Sequence, residues 1–70
     1  MNNVRLILVK AGKEKISVIR EIRMITGIGL KEAKDLSDNV PSIIKESISI
    51  KEAKQIIKNF KELGAEVELH

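Results

Sequence analysis

The spacing of apolar side chains changes twice within residues 46–69, ESISIKEAKQIIKNFKELGAEVEL. Residues 46–50 alternate polar and apolar side chains, which predicts a short, half-buried strand. Ser49 and Glu52 then have the spacing of a capping box, which predicts the start of a helix. The apolar side chains of this helix follow the i, i+3, i+4, i+7 spacing of one buried face: Ala53, Ile56, Ile57 and Phe60. Residues 65–69 alternate again and predict a final strand.

The chain before this segment predicts one strand and two helices. Residues 4–9, VRLILV, predict a strand with apolar side chains on both faces, which indicates either a central strand or a strand whose second face meets a partner. Helices are expected over residues 14–26 and 30–38, and one further helical turn over residues 41–45. The order is therefore strand, helix, helix, strand, helix, strand. It predicts an α+β fold, a two-layer sandwich whose three-stranded antiparallel sheet is covered on one face by three helices.

The composition limits the chain to one small domain and excludes several kinds of chemistry. The 70 residues are 43% apolar and contain no cysteine, with Phe60 as the only aromatic residue and His70 as the only histidine. Disulfides, thiolate metal sites, histidine metal clusters and a Ser-His-Asp triad are thereby excluded. No apolar run approaches the ~20 residues of a membrane span, and the amino terminus does not resemble a signal peptide. We expect a cytoplasmic, non-enzymatic protein with no cofactor, no metal and no membrane contact.

The charge is distributed unevenly along the chain. Residues 1–34 carry eight basic and three acidic side chains, a net charge of +5. Residues 35–70 carry five basic and seven acidic side chains, a net charge of −2, which leaves the formal charge of +3. A basic half indicates an acidic partner, either a nucleic acid or an acidic protein surface. The charge alone does not choose between the two.

The helix expected over residues 14–26 presents an apolar side chain away from the core. At about 100° per residue, its buried stripe is formed by Val18, Ile22 and Ile25. Ile16 lies about 150° from the centre of that stripe, on the side that carries Arg20 and Arg23. An apolar centre with a basic rim suits a protein that has an apolar groove with acidic surroundings. The alternative is an ordinary exposed isoleucine covered by arginine stems.

The charged residues of the other two helices have simpler interpretations. Lys31 and Lys34 are placed to pair with Asp35 and Asp38, four residues on. The apolar side of the same helix is formed by Leu30, Ala33 and Leu36. Lysines of the third helix could touch phosphates, but the chain has no surface aromatic residue for base stacking and only a modest net charge. We therefore expect a solvated face there and no direct contact with nucleic acid.

Residues 26–36, TGIGLKEAKDL, closely resemble the signature of the C-terminal domain of the bacterial large-subunit ribosomal stalk protein, the L-seven/L-twelve family. The similarity extends along nearly the whole chain, including residues 15–20, KISVIR, and residues 64–68, GAEVE. The resemblance implies a domain that recruits translational GTPases to the ribosome and stimulates their GTP hydrolysis, with no catalytic group of its own. The implied partners are elongation factors Tu and G, initiation factor two and release factor three.

The resemblance also implies which residues contact these GTPases, because the family binds them through its first two helices. The implied contact residues are Lys15, Ile16, Ile19, Arg20, Arg23, Lys31 and Lys34. They include the isoleucine and the arginines that helical geometry alone places on the outer side of the first helix. This agreement favours the protein-docking hypothesis over an ordinary solvated surface.

Three departures from the family bear on function. The family's N-terminal dimerisation domain and flexible hinge are absent from these 70 residues, which are expected to form a single factor-binding domain. Attachment to the ribosome is then expected only through that missing region. Met24 stands where the family usually has a small residue, and the chain is more basic than the family's domain. The alternatives are a stand-alone adaptor of the same fold outside the ribosome, and a small RNA-binding module, against which the lack of aromatic residues argues.

Overall fold

The computed structural model describes residues 3–70 and has the predicted order of elements. The elements are β1 (Asn3–Lys10), α1 (Lys15–Thr26), α2 (Leu30–Asp38), β2 (Ser42–Ser49), α3 (Ile50–Glu62) and β3 (Glu66–Leu69). The strands form one antiparallel sheet in the order β2-β1-β3. The predicted α+β class, the three helices and the three-stranded antiparallel sheet are confirmed.

β1 is the central strand because it pairs with both other strands. Leu6 and Leu8, on the face that meets the helices, are fully buried. Ile7 and Val9, on the other face, are half-buried. Ile7 lies opposite Ile43 of β2, so the two isoleucines cover part of each other on the open face of the sheet. The apolar residues on both sides of β1 therefore reflect its central position, as predicted.

The further helical turn expected over residues 41–45 is wrong, because most of this segment belongs to β2. This strand pairs with β1 from Ser42 to Ser49, along most of the length of β1. The register shifts at irregularities between Val4 and Ile7. These shifts break the two-residue alternation of β2. The sequence pattern therefore does not reveal the first half of this strand. Pairing with the central strand outweighs the preference of proline for the start of a helix.

The core lies between the sheet and the helices and is almost entirely aliphatic, as the composition predicts. Its largest fully buried side chains are Phe60, Leu6, Leu8, Ile22 and Val18. Burying a side chain of this kind stabilises the fold by about 1.5–3 kcal/mol. Ile25, which the helical pattern groups with Val18 and Ile22, is half-buried and packs against the margin of the core.

Local hydrogen bonds define the start of α3 and the end of α1. Ser49 Oγ accepts a hydrogen bond from the Glu52 backbone N–H at 3.2 Å, which confirms the predicted start of α3. Gly27 follows the last residue of α1 in a left-handed conformation (φ 75°), and its N–H donates to the Arg23 carbonyl at 2.8 Å. The chain can therefore change direction at once and begin α2 three residues later.

The turn after β1 packs directly on the turn before β3. Gly12 has a φ of 77°, and a Cβ atom at this position would lie 2.5 Å from the carbonyl oxygen of Gly64. Glycine avoids both the strained backbone conformation and the clash. This close approach fixes the chain a few residues before Lys15, and so helps to position α1 over the sheet.

Candidate protein-binding groove

The end of α1 is held both from within the helix and from the sheet. Thr26 Oγ1 donates a hydrogen bond to the Ile22 carbonyl at 2.6 Å and accepts one from the Ile28 N–H at 3.4 Å. Lys45 of β2 donates from Nζ to the Ile25 carbonyl at 3.0 Å. Its ammonium also interacts favourably with the negative end of the helix dipole. The turn that follows then brings α2 to pack against α1.

An open groove of about 580 Å³ lies along α1 and the turn that leads to α2. Its apolar lining is formed by Ile16, Ile19, Met24, Ile28 and Leu30. Arg20, Arg23 and Gly27 complete the lining. These eight residues are called the groove below. The groove has the apolar centre and the arginines that the helical pattern predicts for the outer side of α1.

Three large apolar side chains of the groove are exposed to solvent. Ile16 is 76% exposed, Met24 is 73% exposed and Leu30 is 59% exposed. The prediction that Ile16 points away from the core is confirmed, and Ile19 is half-buried. A cluster of exposed apolar side chains bordered by charged ones is typical of a surface that a partner covers. Covering it would contribute roughly 25 cal/mol for each Å² of apolar surface removed from water.

Asp38, the last residue of α2, joins two of the predicted basic residues. Lys34 Nζ lies 2.7 Å from Asp38 Oδ2, and Lys15 Nζ lies 3.6 Å from Asp38 Oδ1. The hydrogen bond from Lys34 lowers the pKa of Asp38 and raises the pKa of Lys34, and the charge of Lys15 lowers the pKa of Asp38 further. The predicted pair of Lys34 with Asp38 is confirmed. The predicted pair of Lys31 with Asp35 is wrong, since these two form no ion pair within residues 3–70.

The seven predicted contact residues fall into two groups. Four of them line the groove: Ile16, Ile19, Arg20 and Arg23. The other three lie outside it: Lys15, Lys31 and Lys34. Among the described residues 3–70, Arg20, Arg23 and Lys31 form no ion pair. Their charges are therefore not compensated by a direct partner in this part of the chain.

The predicted site residues do not include Met24, Ile28 or Leu30, although all three line the groove. Met24 lies eight residues after Ile16, about 80° around the helix, and this spacing is a signal that sequence reasoning could have used. The helical pattern groups Leu30 with the buried side of α2, but Leu30 is the first residue of that helix and borders the groove. Ile28 lies in the turn, where no periodic pattern applies.

Residues 3–70 contain neither a cluster of metal ligands nor a membrane-spanning helix. No group of three or more histidine, cysteine, aspartate or glutamate side chains in this range is arranged to hold a metal ion. No helix in the same range is long and apolar enough to cross a membrane.

The fold and the groove define a small α+β domain with an exposed apolar and basic surface on its first two helices. The sequence profile of the ribosomal protein L7/L12 C-terminal domain matches residues 4–70. The chain belongs to this family, which confirms the resemblance seen in residues 26–36.

Curated relatives are similar over nearly all of this chain. The large ribosomal subunit protein bL12 of Coxiella burnetii is 58% identical over 62 residues, which cover 89% of this chain and 49% of that protein. The bL12 protein of Caldanaerobacter subterraneus subsp. tengcongensis is 57% identical over 63 residues, 90% of this chain and 50% of that protein. The bL12 protein of Chlorobaculum tepidum is 53% identical over 64 residues, 91% of this chain and 51% of that protein. The chain spans about half the length of these relatives.

Proposed function

We propose that residues 1–70 form the factor-binding domain of a ribosomal stalk protein that works on cytoplasmic ribosomes. In this proposal the domain recruits translational GTPases and promotes their GTP hydrolysis without supplying a catalytic group. Its partners are elongation factors Tu and G, initiation factor two and release factor three. The observation that carries the proposal is the exposed groove on α1 and the following turn, because the family resemblance assigns the GTPase contacts to the first two helices.

The apolar part of the groove supplies most of the binding free energy in this proposal. A helix or loop of the GTPase would seat apolar side chains against Ile16, Ile19 and Met24 and remove them from water. The surface is small, and small interfaces are typical of transient complexes. A short-lived contact suits a domain that must bind one GTPase after another. Met24 adds apolar area where the family usually has a small residue.

The basic residues around the groove favour a partner with acidic side chains beside its apolar anchor. Arg20, Arg23 and Lys31 would raise the rate of encounter with such a surface. A guanidinium can also bind a carboxylate through two parallel hydrogen bonds, which fixes the orientation of the partner. Lys15 and Lys34, which share Asp38, extend the same positive surface, and we include them in the proposed contact.

We assign ribosome attachment to a region outside the matched segment. The segment covers 49% of the bL12 protein of Coxiella burnetii, so such a protein has room for a second functional region of similar length. A binding domain tethered to the ribosome would raise the local concentration of the GTPase that it captures.

The direct test is a titration of the isotopically labelled chain with purified elongation factor G, followed by amide chemical shifts. We expect the largest shifts at Ile16, Arg20, Arg23 and Met24, and small shifts on the open face of the sheet. Titrations with elongation factor Tu, initiation factor two and release factor three are expected to shift the same residues. If none of these GTPases shifts the groove at high micromolar concentration, the proposal is wrong. A stand-alone adaptor of the same fold would then be the better hypothesis.

A further inference from the structure

Four lysines of α3 lie on one side of the helix, and no other residue of α3 lies on that side. They are Lys51, Lys54, Lys58 and Lys61, called the lysine row below. At about 100° per residue they fall within an arc of about 80°. No other side chain of α3 falls within this arc. At about 1.5 Å per residue, the row extends for about 15 Å along the helix axis.

All four members of the lysine row are exposed, and none of them forms an ion pair within residues 3–70. Glu62 lies four residues after Lys58 but does not pair with it. The remaining acidic residue of α3, Glu52, lies about 100° from Lys51 around the helix. The row is therefore a line of positive charge with little compensation, although residues 35–70 as a whole have a net charge of −2.

The row differs from the groove in having no exposed apolar centre. The large exposed apolar side chains belong to α1, α2, β2 and the segment that joins α2 to β2. Ile50 and Ile57 border the row but are half-buried. Stable protein interfaces have an apolar core inside a polar rim, and this surface has only the charges. It therefore favours a partner that presents a dense line of negative charge over a folded protein.

A nucleic-acid backbone is such a partner. Duplex DNA carries one phosphate per ~1.7 Å of helix axis, so 15 Å of a comparable duplex offers more phosphates than the row has lysines. Lysine is a flexible point charge that can follow phosphates without the fixed geometry that base recognition needs. Phe60, the only aromatic residue, is fully buried, so base stacking is not available.

We propose that the lysine row of α3 binds the phosphate backbone of RNA, without recognition of base sequence. The proposal rests on the proposed ribosomal function, because a domain tethered to the ribosome would work within reach of ribosomal RNA. It revises the expectation of no direct contact with nucleic acid. That expectation depended on the lack of surface aromatic residues, which excludes base stacking but not phosphate contacts, and on the modest net charge of the whole chain. The net charge does not describe the local charge of the lysine row. The row would hold the domain near ribosomal RNA while the groove stays open to a GTPase.

Salt dependence gives this contact a quantitative signature. Each phosphate neutralised on a duplex contributes about −0.9 to the slope of log K against log salt concentration. Four lysines therefore predict a slope of about −3.6, or about a 150-fold loss of affinity between 50 and 200 mM salt. Lys61 also borders a hollow that contains Glu66 and Glu68. We therefore expect Lys54 and Lys58 to contribute more than Lys61.

The test measures binding of the 70-residue chain to a labelled 20-base-pair RNA duplex by fluorescence anisotropy over this range of salt. In the main variant the four lysines of the row are changed to glutamine, which has a similar helix propensity. We expect this variant to lose at least 10-fold in affinity at 50 mM salt and most of the salt slope. Circular dichroism is expected to show an unchanged helical content.

The matched control removes four positive charges from α1 and α2: Lys15→Gln, Arg20→Gln, Arg23→Gln and Lys31→Gln. We expect this control to keep most of the RNA affinity and to lose binding to elongation factor G, and the main variant to show the opposite pattern. Equal losses of RNA affinity in both variants would show that only net charge matters, and would overturn the proposal. A polyglutamate peptide that binds the row as tightly as RNA would assign the row to acidic proteins, and would overturn it as well. Because each variant is assayed against both partners, either proposal can fail without the other.

Discussion

Lys15, the first residue of α1, meets Asp38, the last residue of α2, with 3.6 Å between Nζ and Oδ1. The helix pair that carries the groove is therefore closed at one end by an ion pair and joined at the other by the turn of residues 27–29. Lys34, on the same helix as Asp38, holds the carboxylate in place through a hydrogen bond of 2.7 Å. The groove and the charges around it thus share one small structural unit.

The first prediction concerns the pH dependence of stability. The pKa of Asp38 is lowered in the folded state, chiefly by the hydrogen bond from Lys34. The stabilisation from this carboxylate is therefore fully present above the ordinary aspartate pKa of about 3.9 and is lost as the pH falls through the lowered value. Asp38→Asn removes the part of the acid destabilisation that comes from this carboxylate. Thermal unfolding of the unsubstituted chain and of Asp38→Asn between pH 2 and 7 measures the difference in stability. Identical pH profiles would show that Asp38 does not contribute to the pH dependence.

The second prediction concerns the apolar and basic parts of the groove. We expect Ile16→Ala and Arg23→Ala each to weaken binding to elongation factor G by about 1–2 kcal/mol, roughly 5- to 30-fold. Thermal stability is expected to stay nearly constant, because Ile16 is 76% exposed. Ile43→Ala is the matched control, since Ile43 is 42% exposed but lies on the open face of the sheet. An equal loss of binding in Ile43→Ala would show that the groove is not the surface that binds elongation factor G.

The third prediction concerns Met24. We expect Met24→Ala to weaken binding of the same GTPase by about 1 kcal/mol, because it removes an exposed apolar side chain from the groove. It is expected to leave the midpoint of thermal unfolding unchanged or slightly raised, because alanine has the highest helix propensity. Isothermal titration calorimetry and thermal unfolding measure the two effects. Tighter binding by Met24→Ala would mean that Met24 obstructs the groove.

The fourth prediction separates two reasons why a position requires glycine: a left-handed backbone conformation and the lack of space for a Cβ atom. Gly12 and Gly27 have nearly the same φ, 77° and 75°, but only at Gly12 would a Cβ atom clash, at 2.5 Å from the Gly64 oxygen. We expect Gly27→Ala to destabilise the fold by about 1–2 kcal/mol through backbone conformation alone. Gly12→Ala should cost at least ~1 kcal/mol more, because overpacking forces the two turns apart. Urea denaturation measures the difference, and equal losses would show that the turns separate freely.

The fifth prediction concerns the contact between β2 and the end of α1. Lys45 Nζ donates to the Ile25 carbonyl at 3.0 Å, and Lys45 is half-buried. We expect Lys45→Met to destabilise the fold by about 0.5–1.5 kcal/mol through the loss of this hydrogen bond and of the favourable charge at the helix end. Lys13→Met, at an exposed position, serves as the control and is expected to have little effect. A stability loss in the control as large as that of Lys45→Met would show that the contact with Ile25 contributes nothing specific.

Much of the fold could be predicted from the sequence because local patterns and tertiary packing agree. The apolar spacing of α3, its cap at Ser49 and the αL glycine after α1 each act within a few residues, so the sequence pattern records them directly. The first half of β2 could not be predicted in this way. Its alternation is broken where the register with β1 shifts between Val4 and Ile7, and such a shift depends on a strand about forty residues earlier in the chain.

The candidate site could be predicted in part for the same reason. Ile16, Arg20 and Arg23 share one side of a single helix, so helical geometry is enough to group them. Leu30 and Ile28 join the groove only because the turn brings the start of α2 beside α1. The contact of Lys15 with Asp38 likewise depends on how two helices pack, and no spacing within one helix indicates it.

Every residue that lines the groove lies between Ile16 and Leu30, in one uninterrupted stretch of chain. Val18 and Ile22, within the same stretch, are fully buried and anchor it to the sheet. In the proposed function, the outer side of this stretch recognises the partner and the inner side anchors the stretch to the sheet. Substitutions on the outer side can alter partner preference while the inner side keeps the fold intact. The segment can therefore diverge or be transplanted as a unit, and related domains can acquire different partners on an unchanged scaffold.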